Sequence, residues 1–161
     1  MVTEISKLLE PFAPREEGNA VWVRVPLEEA PRIWQELREL GYDYLAAISG
    51  VDWPDRGVIE LVYHLWSLQE KSFVHLKVEV PRDQPRLPSA CHIWGGSAAV
   101  NEREVHEMFG VEFQGNPDLS PLFLEDWEGP PPFRKDFDWR AYVREKYYRE
   151  DREEDRGYYK S

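Results

Sequence analysis

The chain is organised around residues 93–137, which read IWGGSAAVNEREVHEMFGVEFQGNPDLSPLFLEDWEGPPPFRKDF. The first part predicts a helix from about residue 98 to residue 109. Ser97 is a good N-cap, Gly110 is a natural stop, and no helix breaker lies between them. The rest is a long run of turn residues, carboxylates and prolines, so we expect a helix followed by an irregular segment.

The predicted helix carries a carboxylate on its apolar face. Glu102, Val105 and Phe109 have the spacing i, i+3 and i+7, which places them on one side of a helix. An unpaired carboxylate among apolar neighbours is strongly destabilising, so Glu102 is expected to bind an arginine, a lysine or backbone amides. The i, i+4 spacing also predicts ion pairs between Arg103 and Glu107 and between Glu102 and His106.

Composition restricts the class of protein. The 161 residues include 20 basic and 31 acidic side chains, and the net charge of −11 argues against nucleic acid or anionic lipid as a main partner. The single cysteine, Cys91, excludes a disulfide framework and cannot supply the thiolates of an iron–sulfur cluster. No apolar run approaches the roughly 20 residues of a membrane span, and the N-terminus does not resemble a signal peptide. We therefore expect a cytoplasmic chain, and its 32% charged residues are typical of heat-adapted proteins.

Residues 1–114 predict one α+β domain. Helices are expected over residues 3–10 and 27–40, and strands over residues 20–25, 42–51, 58–68 and 73–80. The strands would form a mixed sheet of about four, in which the last three make an antiparallel meander packed by helices. The proline-rich stretch 81–88 is expected to be a connector that is neither helix nor ladder strand.

Residues 115–161 predict an extended C-terminal arm. The prolines at 130–132 favour extension over a packed core, and charges alternate along the segment. Its many aromatic residues are unusual for a disordered tail, so we interpret it as a partner-docking arm laid over a neighbouring subunit, with a floppy terminus as the alternative. Limited proteolysis is then expected to cut the isolated chain after about residue 115.

Motifs for catalysis or metal binding are incomplete. His106 and Glu107 are half of a zinc-binding HExxH motif, but Gly110 stands where the second histidine is required. His64, His75 and His92 lack the spacing of metal ligands, and structural histidines are more common. We therefore predict no catalytic, cofactor-binding or metal-binding residue.

Acidic residues in the arm allow a second interpretation. They could form an acid–base or magnesium cluster, but Arg134 and Lys135 are interleaved with them, which favours salt bridges at an interface. The carboxylates concerned are Asp118, Glu125, Asp126, Glu128 and Asp136.

The motif EREVHEMFGVEF, followed by GNPDL, DWEG and FRKDF, resembles the signature of the 30 kDa subunit family of respiratory complex I, the NADH-quinone oxidoreductase. The similarity reaches back to about Gly41 through YLAAISGVDWP and LVYHLWSL. The family also supplies a subunit to membrane-bound, ferredoxin-linked NiFe hydrogenases and related ion-pumping complexes. Asn116 replaces a histidine that usually precedes PDL, and residues 131–133 read PPF where the family often has His-Pro-Leu.

The resemblance implies a compact α+β subunit of the peripheral arm of a membrane-bound, ion-translocating oxidoreductase that takes part in electron transport. Such a subunit has no active site or redox centre and packs against the large catalytic subunit. Iron–sulfur clusters and NiFe or quinone are then expected in neighbouring subunits. The chain would lie on the cytoplasmic side of the membrane and touch it only through the complex.

Three functional hypotheses remain open. The short chain and the missing histidines favour the ferredoxin-linked hydrogenase branch or a related complex over the quinone-reducing type. A free-standing small enzyme that depends on a metal or on carboxylates is the alternative from a different class. We predict that the subunit interface lies on charged and aromatic residues of the signature and of the arm. They are Glu102, Arg103, Glu104, Glu107, Asp118, Asp126, Trp127, Glu128, Arg134, Lys135, Asp136, Trp139 and Tyr142.

Overall fold

A mixed five-stranded sheet forms the centre of the structure, a computed structural model that describes residues 2–147. Its strands are β1 Arg15–Glu17, β2 Ala20–Arg24, β3 Tyr44–Trp53, β4 Val58–Ser67 and β5 Ser72–Pro81. The order across the sheet is β1-β2-β5-β4-β3, in which β2 and β5 are parallel and the other neighbours are antiparallel. The α+β class and the meander of β3, β4 and β5 are thus confirmed. The short strand β1 adds a fifth member that sequence periodicity did not indicate.

Within residues 2–147, five α-helices and a small second sheet complete the fold. The helices are α1 Val2–Leu9, α2 Ala30–Glu39, α3 Cys91–Trp94, α4 Gly96–Phe109 and α5 Trp139–Lys146. Short 3-10 turns at Leu27–Glu29 and Pro54–Arg56 lead into α2 and out of β3. Strands β6 Arg86–Pro88 and β7 Glu112–Gln114 form the second sheet. Within the described residues, none of the helices is long and apolar enough to cross a bilayer.

The core lies on one face of the large sheet. The alternating residues Val74, Leu76, Val78 and Val80 of β5 are buried, whereas the residues between them remain partly exposed. Ile33, Trp34 and Leu37 of α2 are fully buried in the same cluster. The amphipathic pattern of residues 27–40 therefore predicted correctly which helix face meets the sheet.

Strand β6 corrects the expectation that residues 81–88 form no ladder strand. Arg86–Pro88 pairs in parallel with Glu112–Gln114. The carbonyl of Pro85 accepts a hydrogen bond from the Glu112 N–H, and the Ser89 N–H donates to the Gln114 carbonyl, each at 2.8 Å. Proline lacks only the donor, so it can serve in a ladder wherever the partner needs an acceptor.

Helix α4 covers the edge of β3, and its start differs from the prediction. The helix begins at Gly96 after Gly95, so Ser97 is not the N-cap. Instead the Ser97 hydroxyl donates to the Leu45 carbonyl at 2.7 Å, and the Asn101 side-chain oxygen accepts from the Ile48 N–H at 3.2 Å. Both bonds satisfy backbone groups on the outer edge of β3, which would otherwise be open to pairing with another chain. The helix ends at Gly110 in the left-handed conformation, as predicted.

Gly50 allows α4 to approach β3 closely. A Cβ atom at this position would lie 2.5 Å from the Phe109 ring. Replacement of Gly50 by alanine is therefore expected to lower the free energy of unfolding by about 1–3 kcal/mol, because the ring has to move. Urea denaturation would measure this change. Gly96→Ala is the matched control, since a Cβ atom at that position would have no neighbour within 4 Å; similar stability losses in the two variants would contradict the packing argument.

Candidate subunit interface

Glu102 lies at the centre of the signature region and has no exposed surface. Its Oε1 accepts a hydrogen bond from the Ala90 N–H at 2.7 Å. Its Oε2 accepts from the Ser89 hydroxyl at 2.7 Å and from the Asn116 amide at 2.8 Å. The Cys91 thiol lies 3.5 Å from the same oxygen. The carboxylate thus joins α4 to the loop before α3 and to the first residues of the arm.

This geometry contradicts the prediction that Glu102 pairs with a basic residue of the described chain. Among the described residues its hydrogen-bond donors are one backbone amide and uncharged side chains, so the alternative of a backbone amide is the one that is confirmed. Its complete burial also means that Glu102 supports the surface from within instead of contacting a partner. The prediction of an ion pair between Glu102 and His106 is wrong as well, because the His106 Nδ1 lies 2.8 Å from the Val111 carbonyl.

Arg103 and Glu107 bind the arm instead of each other. The Arg103 guanidinium donates to the Ser120 carbonyl at 3.1 Å and to the Pro121 carbonyl at 3.0 Å. The Glu107 carboxylate accepts from the backbone N–H groups of residues 122–124 at 2.7–3.3 Å. The i, i+4 pairing was wrong because both side chains find several backbone groups in fixed positions, which is a stronger arrangement than an exposed helical ion pair.

A second buried carboxylate anchors the far end of the arm. Asp52 on β3 accepts two hydrogen bonds from the Arg82 guanidinium, at 2.7 and 3.0 Å, and one from the Lys135 N–H at 2.8 Å. Arg82 also pairs with Asp136 at 2.7 Å. Arg134 donates to the carbonyls of Phe109 and Arg82 at 2.8 and 2.9 Å. The FRKDF motif is therefore a clamp between the arm and the sheet.

The charge of Asp52 depends on this clamp. Hydrogen bonds from Arg82 lower the pKa of the Asp52 carboxyl, and the bond from the Lys135 N–H acts in the same direction. A lowered pKa means that the stabilisation is complete above the unfolded-state pKa and is lost as the pH falls through the lower folded-state value. The clamp is thus fully charged at neutral pH.

Aromatic side chains pack together in the part of the arm that leads into α5. The Trp127 ring lies 5.8 Å from Phe137 and 4.9 Å from Tyr142, measured between ring centroids. The Trp127 indole N–H donates to the Pro130 carbonyl at 2.9 Å. Glu128 forms an ion pair with Lys146 of α5. Trp127, Glu128 and Tyr142 are therefore brought together as a small cluster that fixes the start of α5.

In the structure, the arm is bound to its own domain. Residues 115–161 were expected to lie over a neighbouring subunit. Residues 116–136 are joined to their own domain at both ends and along α4 by the bonds described above. The arm nevertheless turns large apolar side chains outward: Phe123 is 61% exposed, Phe133 59%, Trp139 53% and Tyr147 50%. Contact of this outward face with a neighbour stays a prediction. The tail from residue 148 onward, including Tyr148, Tyr158 and Tyr159, lies outside the described residues.

The remaining interface candidates are on the surface. Glu104 and Asp126 are exposed, and Asp118 pairs with Arg103 at 3.5 Å. Sequence reasoning missed Asp52, Arg82, Phe123 and Phe133. The signal for Asp52 was present, because the alternation of β3 places it on the buried side with Ile48; nothing in the pattern indicated Arg82.

The chain is similar to known proteins over most of its length. Residues 23–143 match the family described as the respiratory-chain NADH dehydrogenase 30 kDa subunit. The matched range runs from the end of β2 into α5 and thus includes most of the described arm. The chain is 34% identical over 137 residues to an NADH-quinone oxidoreductase subunit of Moorella thermoacetica, and the alignment covers 84% of this chain and 92% of that relative.

Two further similarities involve other respiratory systems. A subunit of the F(420)H(2) dehydrogenase of Methanosarcina mazei is 36% identical over 116 residues, which cover 71% of this chain and 73% of the relative. A chain in the structure of the membrane-bound sulfane sulfur reductase, an archaeal respiratory membrane complex, superposes with a TM-score of 0.82 at 32% identity. That alignment covers 94% of this chain and 93% of the other.

The Glu102 geometry predicts the effect of a nearly isosteric change. Glu102→Gln replaces one acceptor oxygen by a donor amide, which leaves at least one buried donor without a partner. We expect a loss of about 2–4 kcal/mol in the free energy of unfolding, measured by chemical denaturation. Glu104→Gln on the exposed side of the same helix should change it by less than about 0.5 kcal/mol. Similar losses in the two variants would mean that the hydrogen bonds to the buried carboxylate do not stabilise the fold.

The clamp predicts where the isolated chain is cut by trypsin. Among the described residues of the arm, the bonds after Arg140, Arg144 and Lys146 should be cleaved roughly tenfold faster than the bonds after Arg134 and Lys135, because the latter are held on the sheet. All these sites lie in the segment after about residue 115 that the sequence predicted to be cut, and no lysine or arginine lies between Arg103 and Arg134. The fragments can be timed by mass spectrometry.

A variant pair tests the cause of this protection. Asp52→Asn should accelerate cleavage after Arg134 and Lys135 several-fold, whereas Asp55→Asn in the exposed turn after β3 should leave it unchanged. Early cleavage at Arg134 in the unmodified chain would mean that the clamp does not hold in solution.

Proposed function

Because the chain belongs to the respiratory-chain NADH dehydrogenase 30 kDa subunit family, we propose that it is a non-catalytic subunit of the peripheral arm of a membrane-bound, ion-translocating oxidoreductase. It packs against the large catalytic subunit through the outward face of its arm. The complex lies on the cytoplasmic side of the membrane, and this chain reaches the membrane only through other subunits.

One observation carries the proposal. Backbone groups of the arm bind Arg103, Glu107 and Asp52 of their own domain. Phe123, Phe133 and Trp139 face outward with more than half of their surface exposed. Exposed aromatic side chains held on a rigid support are typical of the centres of protein interfaces. Lys135 lies over the Trp53 ring at 5.0 Å and adds a cationic rim. The arm therefore supplies a preformed surface whose ordering entropy is already offset before a partner binds.

The hypothesis of a free-standing enzyme has less support. Three of the five carboxylates that such an enzyme would use are engaged in ion pairs: Asp118 with Arg103, Glu128 with Lys146, and Asp136 with Arg82. Burial raises the pKa of the Cys91 thiol, which disfavours the nucleophilic thiolate. We therefore propose that the redox centres, namely iron–sulfur clusters and NiFe or quinone, belong to neighbouring subunits.

Within the family we favour a ferredoxin-linked hydrogenase or a related ion-pumping complex. The superposition over 94% of this chain on a subunit of the membrane-bound sulfane sulfur reductase supports a complex outside the quinone-reducing type. The quinone-reducing type is the second candidate, because the Moorella thermoacetica relative belongs to an NADH-quinone oxidoreductase.

Native purification of the full chain with an affinity tag would test the proposal. The large catalytic subunit and iron–sulfur subunits should co-purify in equal amounts. The double variant Phe123→Ser/Phe133→Ser is expected to reduce recovery of the large subunit about tenfold, because it removes two interface anchors. Leu68→Ser is the matched control, since Leu68 is 75% exposed in the turn after β4, outside the arm.

The outcomes separate the hypotheses. Circular dichroism of the double variant should remain unchanged, which would show that recovery falls through lost contact and not through unfolding. A chain that purifies alone as a monomer, with one metal ion or flavin per molecule, would support the enzyme hypothesis instead. The isolated chain is expected to contain no stoichiometric iron, nickel, zinc or flavin.

A further inference from the structure

Two histidines lie opposite each other on the face of the large sheet that is turned away from the core. His64 of β4 and His75 of β5, which we call the histidine pair, are direct partners in the antiparallel register. Leu65 and Val74, next to them in sequence, are fully buried in the core, so the imidazoles point to the other face. The Nδ1 atoms of the two rings are 2.8 Å apart. This is a hydrogen-bond distance, so one Nδ1 carries a proton and the other accepts it.

Neighbouring strands hold both rings in place. The His64 Nε2 lies 2.9 Å from the Ser49 hydroxyl of β3. The His75 ring contacts Trp22 of β2 and Phe73 of its own strand, with ring centroids 4.1 and 5.4 Å away. Both imidazoles are partly buried. They therefore have little freedom to turn away from each other while the strands remain paired.

The charged side chains on this face are engaged with one another. Every basic side chain among them pairs with a carboxylate of the same face. Within residues 2–147, neither imidazole of the histidine pair forms an ion pair with a carboxylate, so a proton added to it is not neutralised by a neighbour. The titratable groups that share the face are Arg15 and Glu17 of β1, Arg24 of β2, Tyr44 of β3, Arg56 of the turn after β3, Glu60 of β4, and Lys77 and Glu79 of β5.

The two imidazoles bind protons less readily than ordinary histidines. Burial lowers the pKa of His64, and burial together with the charge that His64 can carry lowers the pKa of His75. In the unfolded chain both side chains have the usual histidine pKa of about 6.5. The stability that depends on the neutral pair is therefore complete above about pH 6.5, and it is lost as the pH falls from there through the lower folded-state values.

The geometry limits the number of protons that the histidine pair can hold. In the neutral pair one Nδ1–H donates to the other Nδ1, and the donating ring has no proton on its Nε2. One added proton binds to that Nε2, and the hydrogen bond between the Nδ1 atoms remains, now with a charged donor. A second added proton has to occupy the accepting Nδ1. Two N–H groups and two positive charges then face each other, so the bond has to break.

We propose that the histidine pair is an acid-sensitive link between β4 and β5. The link holds with no or one added proton and breaks when both imidazoles are charged, which loosens the sheet at this place. Mild acid is sufficient, whereas Asp52 in the clamp loses its charge only below the usual carboxyl pKa, because hydrogen bonds from Arg82 lower its pKa. The histidine pair does not depend on the proposed function, since it consists of residues of this chain alone.

Imidazole NMR of the full chain tests the link directly. The ring nitrogens of His64, His75 and the exposed His92 are followed from about pH 8 to about pH 4.5 in the presence of a metal chelator. We expect His64 and His75 to take up protons in two steps at least about one pH unit apart, since the second proton is bound against a charge and breaks the hydrogen bond. His92 should take up its proton in one step. Simultaneous single-step titration of His64 and His75 would overturn the proposal.

A neutral replacement of one ring tests the cause. In His75→Asn the amide nitrogen can donate to His64 in place of the Nδ1–H, and the amide oxygen can accept from a charged His64, so neither state is excluded. The measured quantity is the equilibrium constant for unfolding, from urea denaturation. Between about pH 7.5 and about pH 5.5 it should rise about tenfold more in the parent chain than in His75→Asn, which is the effect of about one proton over one pH unit.

His92→Asn is the matched control, because it removes an exposed histidine outside the pair. Its pH response should equal that of the parent chain within about twofold. His64→Asn is the reciprocal variant and should reduce the response as His75→Asn does. A loss of stability that is the same at both pH values cancels in these ratios. Equal pH responses of the parent chain and all three variants would contradict the proposed link.

Hydrogen exchange locates the opening. Amides of residues 63–66 and 73–76 should lose protection about fivefold or more between about pH 7 and about pH 5, after correction for the intrinsic exchange rate. Amides of residues 33–37 in α2 should change less than about twofold, because α2 lies on the other face of the sheet. An equal loss in both regions would mean that acid acts on the whole fold and not through the histidine pair.

Discussion

The structure depends on the burial of one carboxylate, Glu102, without a basic partner in the described part of the chain. Its two oxygens require several donors at once, and these come from the loop at Ser89 and Ala90 and from Asn116. A buried charge left unsatisfied is too costly to persist, so these segments have to meet at the middle of α4. The path of the chain into the arm is thereby fixed at Asn116.

The arm is then held mainly by polar contacts along its length. Ordering a residue costs roughly 1–2 kcal/mol, and a segment with few buried apolar residues has to offset this cost otherwise. Arg103 and Glu107 bind its backbone in the middle, and Asp52 with Arg82 binds its end. Its largest apolar side chains, such as Phe123, are largely exposed and so contribute little to this anchoring. They are available to a partner at little entropic cost.

Sequence reasoning succeeded where local periodicity carries the information. The period of two in β5 and the helical period of α2 both indicated which residues are buried, and the phase of α4 placed Glu102 inside. The partners of Glu102 and Asp52 could not be predicted, because they are separated by up to 83 residues, as for Asp52 and Lys135. Strands β6 and β7 escaped prediction because three residues show no period. Most of what anchors the arm is of this long-range kind.

The donors around Glu102 also explain one difference from the family pattern. Asn116 stands where a histidine is usual, and its amide donates to Glu102 at 2.8 Å. A histidine ring N–H could donate in the same way, so this replacement keeps a donor for the buried carboxylate. The change is explained by the anchoring of the arm and requires no change of redox partner. Similar chains occur in NADH-quinone and F(420)H(2) systems and in the structure of a sulfane sulfur reductase, so similarity to this chain extends over complexes whose names indicate different redox chemistry.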